Sequence, residues 1–88
     1  MKVREDLILR EVAGENILIP VGEIALDIKG MFTLTESGTL LYRKLTEGCT
    51  KEDLVQTLLD EYEVDQEKAS EDVDAFLEQL EKAGVLQN

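Results

Sequence analysis

The side chains able to do chemistry in this sequence are few and poorly matched to one another. There is no histidine and one cysteine, Cys49, so neither a Cys–His nucleophile pair nor a Cys/His zinc site can be assembled. Cys49 stands between Gly48 and Thr50, ahead of a helix start where a thiolate is favoured. With no base and no second thiol, it reads as an ordinary turn or core-edge cysteine. The run from Asp60 to Asp65, with Glu71 eleven positions after Asp60, has the outline of a calcium loop. Its third position is Tyr62 and its sixth is Asp65, where such a loop needs an oxygen ligand and a glycine. These acids fit a connection between helices, close to the positive end of the second one. The remaining carboxylates are spread along helical stretches that face solvent. A non-catalytic chain without metal or cofactor is the expectation.

The elements that must position any site change character along the chain. Leu7 to Ala13 and Ile17 to Val21 read as two strands joined across Gly14-Glu15-Asn16, a connector of hairpin length. Pro20 lacks a ladder donor and belongs at a strand end or an edge. Met31 to Leu34 reads as a third extended segment. In residues 22–30 the alternation of Ile24, Leu26 and Ile28 fits a strand while the flanking glycines fit a loop, and the pattern supports both.

From Thr35 the period becomes helical. Thr35 caps a helix over residues 36–47 that carries Leu41 and Leu45 and ends at Gly48. Thr50 caps a second, with Asp53 placed for a capping box and Leu54, Val55, Leu58, Leu59 and Tyr62 as its stripe. Asp65 caps a third, with Val64 and Ala69 spaced for a hydrophobic staple and Ala69, Val73, Phe76, Leu77 and Leu80 as its stripe. Gly84 and Val85 are placed to end it, Val85 folding back on Leu80. The fold class is α+β: a three-stranded antiparallel sheet followed by three helices, winged-helix-like in order.

Length and charge exclude further classes. The 88 residues, 43% hydrophobic and 33% charged, make one small domain over residues 1–88 with a modest core. The net charge is −11; residues 1–44 hold seven acids and six bases, residues 45–88 thirteen acids and three bases. Phosphate backbones need clustered Lys and Arg, so nucleic acid is not an expected partner. No apolar run reaches membrane-spanning length and the first residues lack a signal-peptide core, so a soluble cytoplasmic protein is expected.

One group of residues resembles a known family. Leu34-Thr35-Glu36-Ser37-Gly38, then Leu45, Gly48-Cys49-Thr50, Asp53-Leu54-Val55, Leu58, Glu61-Tyr62, Asp72-Val73, Phe76-Leu77, Leu80 and Gly84-Val85-Leu86 are similar to the PqqD family. This module is also called the RiPP precursor peptide recognition element. The likeness spans residues 7–86, its more specific parts being the junction at Leu34 to Gly38 and the helix bearing Asp72-Val73 and Phe76-Leu77. The family usually has Asn where Thr35 stands and often Trp where Tyr42 stands, and residues 22–30 are longer than the matching connection in the founding member.

The resemblance implies a groove between the third strand and the third helix, into which the leader segment of a ribosomally made precursor peptide adds as a strand. It implies backbone contacts at Met31, Phe32, Thr33 and Leu34, and a groove lined or rimmed by Ala69, Asp72, Val73 and Phe76. It also implies a modifying enzyme as second partner, often a radical S-adenosylmethionine protein; the chain itself is expected to be a monomer or weak homodimer. β-Augmentation supplies a physical basis, since main-chain hydrogen bonds give affinity and side-chain pockets give selectivity. The acidity of the helical half adds an expectation of its own, attraction of basic residues on the leader or the enzyme. Two other readings follow from the same elements: a winged-helix transcription regulator, which would need a basic third helix, and a structural subunit that dimerises through an open strand edge.

Overall fold

Strand alternation begins the chain's regular structure and helical periodicity completes it. The computed structural model describes residues 1–22 and 32–87. Its elements are β1 (Lys2–Val3), β2 (Leu7–Val12), β3 (Glu15–Pro20), β4 (Phe32–Leu34), α1 (Glu36–Glu47), α2 (Lys51–Glu61), α3 (Gln66–Lys82) and β5 (Leu86–Gln87). The α+β class and the order of sheet then helices are those the sequence predicts. Residues 23–30 and Met31, the ambiguous stretch and the start of the third strand, lie outside the described residues.

β2, β3 and β4 form one antiparallel sheet in that order. Leu9, Leu18 and Phe32 stand opposite one another across it, on the face that packs against the helices, and Leu18 is fully buried. On the other face Ile8 pairs with Ile19, and Arg10 pairs with Ile17, which pairs with Thr33. Pro20 is the last residue of β3, opposite Leu7, where its missing N–H costs least. The hairpin turn corrects the expected connector. Val12 pairs directly with Glu15, so the turn is Ala13–Gly14 and both Glu15 and Asn16 belong to β3. Its two residues have φ of 53° and 82°, as a two-residue turn matched to strand twist requires. Full pairing of Glu15 and Asn16 outweighs the left-handed backbone of Ala13, which costs about 1 kcal/mol.

Each helix begins where its cap residue predicts. The Thr35 hydroxyl accepts from Gly38 N at 3.0 Å. In the α2 capping box Asp53 N donates to Thr50 Oγ1 at 3.2 Å, and Thr50 N donates to Asp53 Oδ2 at 3.0 Å. Asp65 Oδ1 accepts from Lys68 N at 2.7 Å, and at the staple position Ala69 is buried while Val64 is half-buried against the core. α3 ends in a pair of reversed bonds, Gly84 N to Glu81 O at 3.0 Å and Val85 N to Leu80 O at 2.9 Å, with Gly84 at φ 78°.

β1 and β5 were not anticipated from the sequence. They pair antiparallel, Val3 opposite Leu86, beside a bond from Arg4 N to Val85 O at 2.9 Å. Strands of two residues carry no readable periodicity, so only burial at or beside them marks them: Val3 of β1 is 2% exposed, and Val85, the residue before β5, is fully buried. The core joins these two valines to Leu18, Leu34, Leu41, Tyr42, Leu45, Leu54, Leu58, Ala69, Val73 and Leu80.

Candidate functional site

β4 is an outer strand of its sheet. It pairs with β3 through Leu34 opposite Asn16, Thr33 opposite Ile17 and Phe32 opposite Leu18. Its other edge has no strand partner among the described residues. Unpaired strand edges offer N–H and C=O groups to an extended chain, and this one is short. Phe32 is half-buried on the helix-facing side, Thr33 is exposed on the opposite side, and Leu34 is buried as the strand runs into the core.

The strand leads through one residue, Thr35, into α1, and at that junction the chain opens a cleft of about 330 Å³. Leu41, Leu58, Ala75 and Phe76 give it an apolar lining; Thr35, Ser37, Asp72 and Gln79 supply its polar groups. Asp72, Phe76 and Gln79 share one face of α3 because they recur at spacings of four and three.

Gly38 sets how closely α3 approaches α1. A Cβ there would lie 3.3 Å from Phe76 Cε1 and 3.1 Å from Thr35 Oγ1, closer than ordinary contact allows. Without that carbon the Phe76 ring rests against the first turn of α1, its edge over bare backbone.

The predicted site residues fall into three groups. Asp72 and Phe76 meet in the cleft beyond β4, with Asp72 exposed and holding Lys68 Nζ at 3.1 Å. Ala69 and Val73 are fully buried, and so form core behind the groove rather than its surface. Phe32, Thr33 and Leu34 supply the strand edge, while Met31 lies outside the described residues. Sequence reasoning did not single out Leu41, Leu58, Ala75 or Gln79 for the cleft. Gly38 did carry a signal, since a glycine in the first turn of a helix is about 1 kcal/mol worse than alanine and calls for a packing reason.

Elsewhere the chemistry is muted. Burial, reinforced by Asp53, pushes the Cys49 thiol above its ordinary range, so at neutral pH it is held protonated and weakly nucleophilic. Burial likewise pushes the Tyr42 hydroxyl up. Among the described residues no three His, Cys, Asp or Glu side chains converge on a common point, and no helix is long and apolar enough to cross a membrane.

Two solved structures share this fold. TbiB1 in complex with the TbiA(beta) leader peptide superposes with a TM-score of 0.80 at 24% identity, over 100% of this chain and 96% of the other. A lasso peptide synthetase B1 complexed with the leader peptide gives a TM-score of 0.78 at 22% identity, over 99% of this chain and 96% of the other. No curated protein matches the chain in sequence. Residues 22–86 match the family described as coenzyme PQQ synthesis protein D. That stretch begins after the hairpin, contains β4 and all three described helices, and includes the junction and cleft described above. The chain belongs to the PqqD family.

Proposed function

We propose that this chain is a non-catalytic adaptor that binds the leader segment of a ribosomally made precursor peptide and presents it to a modifying enzyme. The observation that carries this reading is the edge of β4, without a strand partner among the described residues, running into the cleft between α1 and α3, in a family member whose two similar structures were each solved with a leader peptide. The peptide adds as a strand alongside Phe32 and Thr33, and its alternate side chains enter the groove whose end is Phe76 and Asp72. Ala69 and Val73 hold α3 in place from within, and Met31 extends the backbone contact.

The residues 1–88 act as one unit in the cytoplasm, monomeric or weakly dimeric, without metal or cofactor, and the covalent chemistry belongs to the partner. The protonated Cys49 and the absence of histidine support that division of labour. DNA reading is disfavoured by α3, where Glu67, Glu71, Asp74, Glu78 and Glu81 recur at spacings of four and three against two lysines.

Anisotropy of a fluorescently labelled leader peptide, taken from the precursor encoded beside the gene, tests the reading. Saturable binding that weakens about tenfold or more in Phe76→Ala, and is unchanged in Glu81→Gln, is expected for a buried apolar anchor. Binding indifferent to Phe76→Ala would move the peptide off this groove.

A further inference from the structure

The cleft beyond β4 has a chemical character of its own. Its lining mixes apolar side chains with the neutral polar groups of Thr35, Ser37 and Gln79, and the one charged group in it is the Asp72 carboxylate. Asp72 and Phe76 are four residues apart on α3, so a carboxylate and an aromatic ring stand side by side. Resting on the adaptor reading above, we propose that this cleft is the subsite for a lysine or arginine of the bound peptide. The side chain's methylenes lie on Phe76 and Ala75, and its cationic head meets Asp72.

Position supports this first. Thr35 follows Leu34 directly, so a strand laid along the edge of β4 away from β3 reaches the cleft as it passes the end of β4. The cleft sets the Phe76 ring and the Asp72 carboxylate one helical turn apart on α3, hydrocarbon and then charge. Lysine and arginine are built in that order, with an apolar stem and a charged tip.

The competing case for an anion is the positive end of α1, which opens on the same cleft. That end is already answered. Thr35 Oγ1 accepts from Gly38 N, and Glu36 puts a carboxylate in the first turn. Thr35 Oγ1 also lies 3.2 Å from Ser37 Oγ, so the two hydroxyls are engaged with each other.

Asp72 already binds an ammonium of this chain. Lys68 Nζ is 3.1 Å from Asp72 Oδ1, with side-chain exposures of 60% and 46%. Such an exposed pair is worth little and yields readily to a cation that is also gripped by apolar surface. A cation desolvated against a phenyl ring gains further from the ring's negative face. Around the cleft, the net charge of −11 draws cations in and repels an acidic side chain.

The test is a positional scan of the same leader peptide, each residue replaced in turn by Lys, Glu and Ala, with Kd read by anisotropy. The expected result is one position where Lys or Arg binds about tenfold more tightly than Glu, as a charge-assisted hydrogen bond is worth. That preference disappears in Asp72→Asn and reverses in Asp72→Lys. Glu81→Lys makes the same change of net charge on the other stripe of α3 and leaves the preference in place. Circular dichroism of each variant reports that it is folded.

A preference that survives Asp72→Lys, or that falls equally in Glu81→Lys, would overturn the subsite and leave the adaptor reading standing. Tight binding with no position preferring a base would do the same. Absence of binding by every peptide at millimolar concentration would overturn the adaptor reading, and the subsite with it.

Discussion

Gly38 and Ala13 invert the usual expectations for their residue types, and each can be tested singly. A glycine inside a helix normally gains about 1 kcal/mol on replacement by alanine. Gly38→Ala instead places a methyl 3.3 Å from Phe76 and 3.1 Å from the capping hydroxyl of Thr35. Urea unfolding should show no gain in stability, and peptide affinity should fall as the Phe76 ring is displaced. Ala13 is the reverse case, a side chain in the left-handed region at φ 53°. Ala13→Asn should raise the unfolding free energy by about 0.5–1 kcal/mol in urea unfolding, because asparagine accepts the left-handed region more readily. Asp53 ties a residue to pH. The backbone N–H and hydroxyl of Thr50 hold its carboxyl below the ordinary value of 3.8. A carboxyl lowered by folding stabilises above its unfolded value and loses that contribution as pH falls through its folded value. Asp53→Ala should therefore melt below the parent protein at pH 6, and the gap should narrow as the pH falls beneath 3.8.

Elements with a cap and a stripe were readable, and elements without them were not. Thr35, Thr50 and Asp65 each mark a helix start in the sequence, and the structure begins its three described helices one residue later in every case. The hairpin existed in the pattern, but Gly14 drew the turn one residue late. A residue as ordinary as Ala13 gives no sign that it accepts positive φ. β1 and β5 had no period to read, yet Val3 of β1 and Val85 just ahead of β5 close the core. Val85→Ala should accordingly cost about 2 kcal/mol in urea unfolding, the scale of a truncated core side chain. For the site, helical spacing brought Asp72 and Phe76 to one face but did not say how deep each residue of that helix would lie. Ala69 and Val73 are sealed in the core, a fact of tertiary packing that the spacing of one helix does not contain. The opposite wall, from Thr35 to Leu41, was legible only through Gly38.

For the molecule as a whole, charge and topology divide the work. The sheet edge and cleft lie at the seam between a nearly neutral first half and a helical half bearing thirteen acids and three bases. A basic peptide should therefore associate more slowly as salt is raised, while an uncharged analogue should show a flat response in the same stopped-flow series. Three acids of α3 each hold a lysine, Asp74 holding Lys51 at 2.7 Å, Glu78 holding Lys82 at 3.0 Å and Asp72 holding Lys68 at 3.1 Å, and of these Asp72 is the one that lines the cleft. Amide chemical-shift titration of the labelled protein with the leader peptide probes the whole arrangement at once. Saturable shifts gathered at residues 32–35 and 72–79 are the expected result. Shifts confined to α2, Lys51–Glu61, would place the peptide on a different face and contradict the groove.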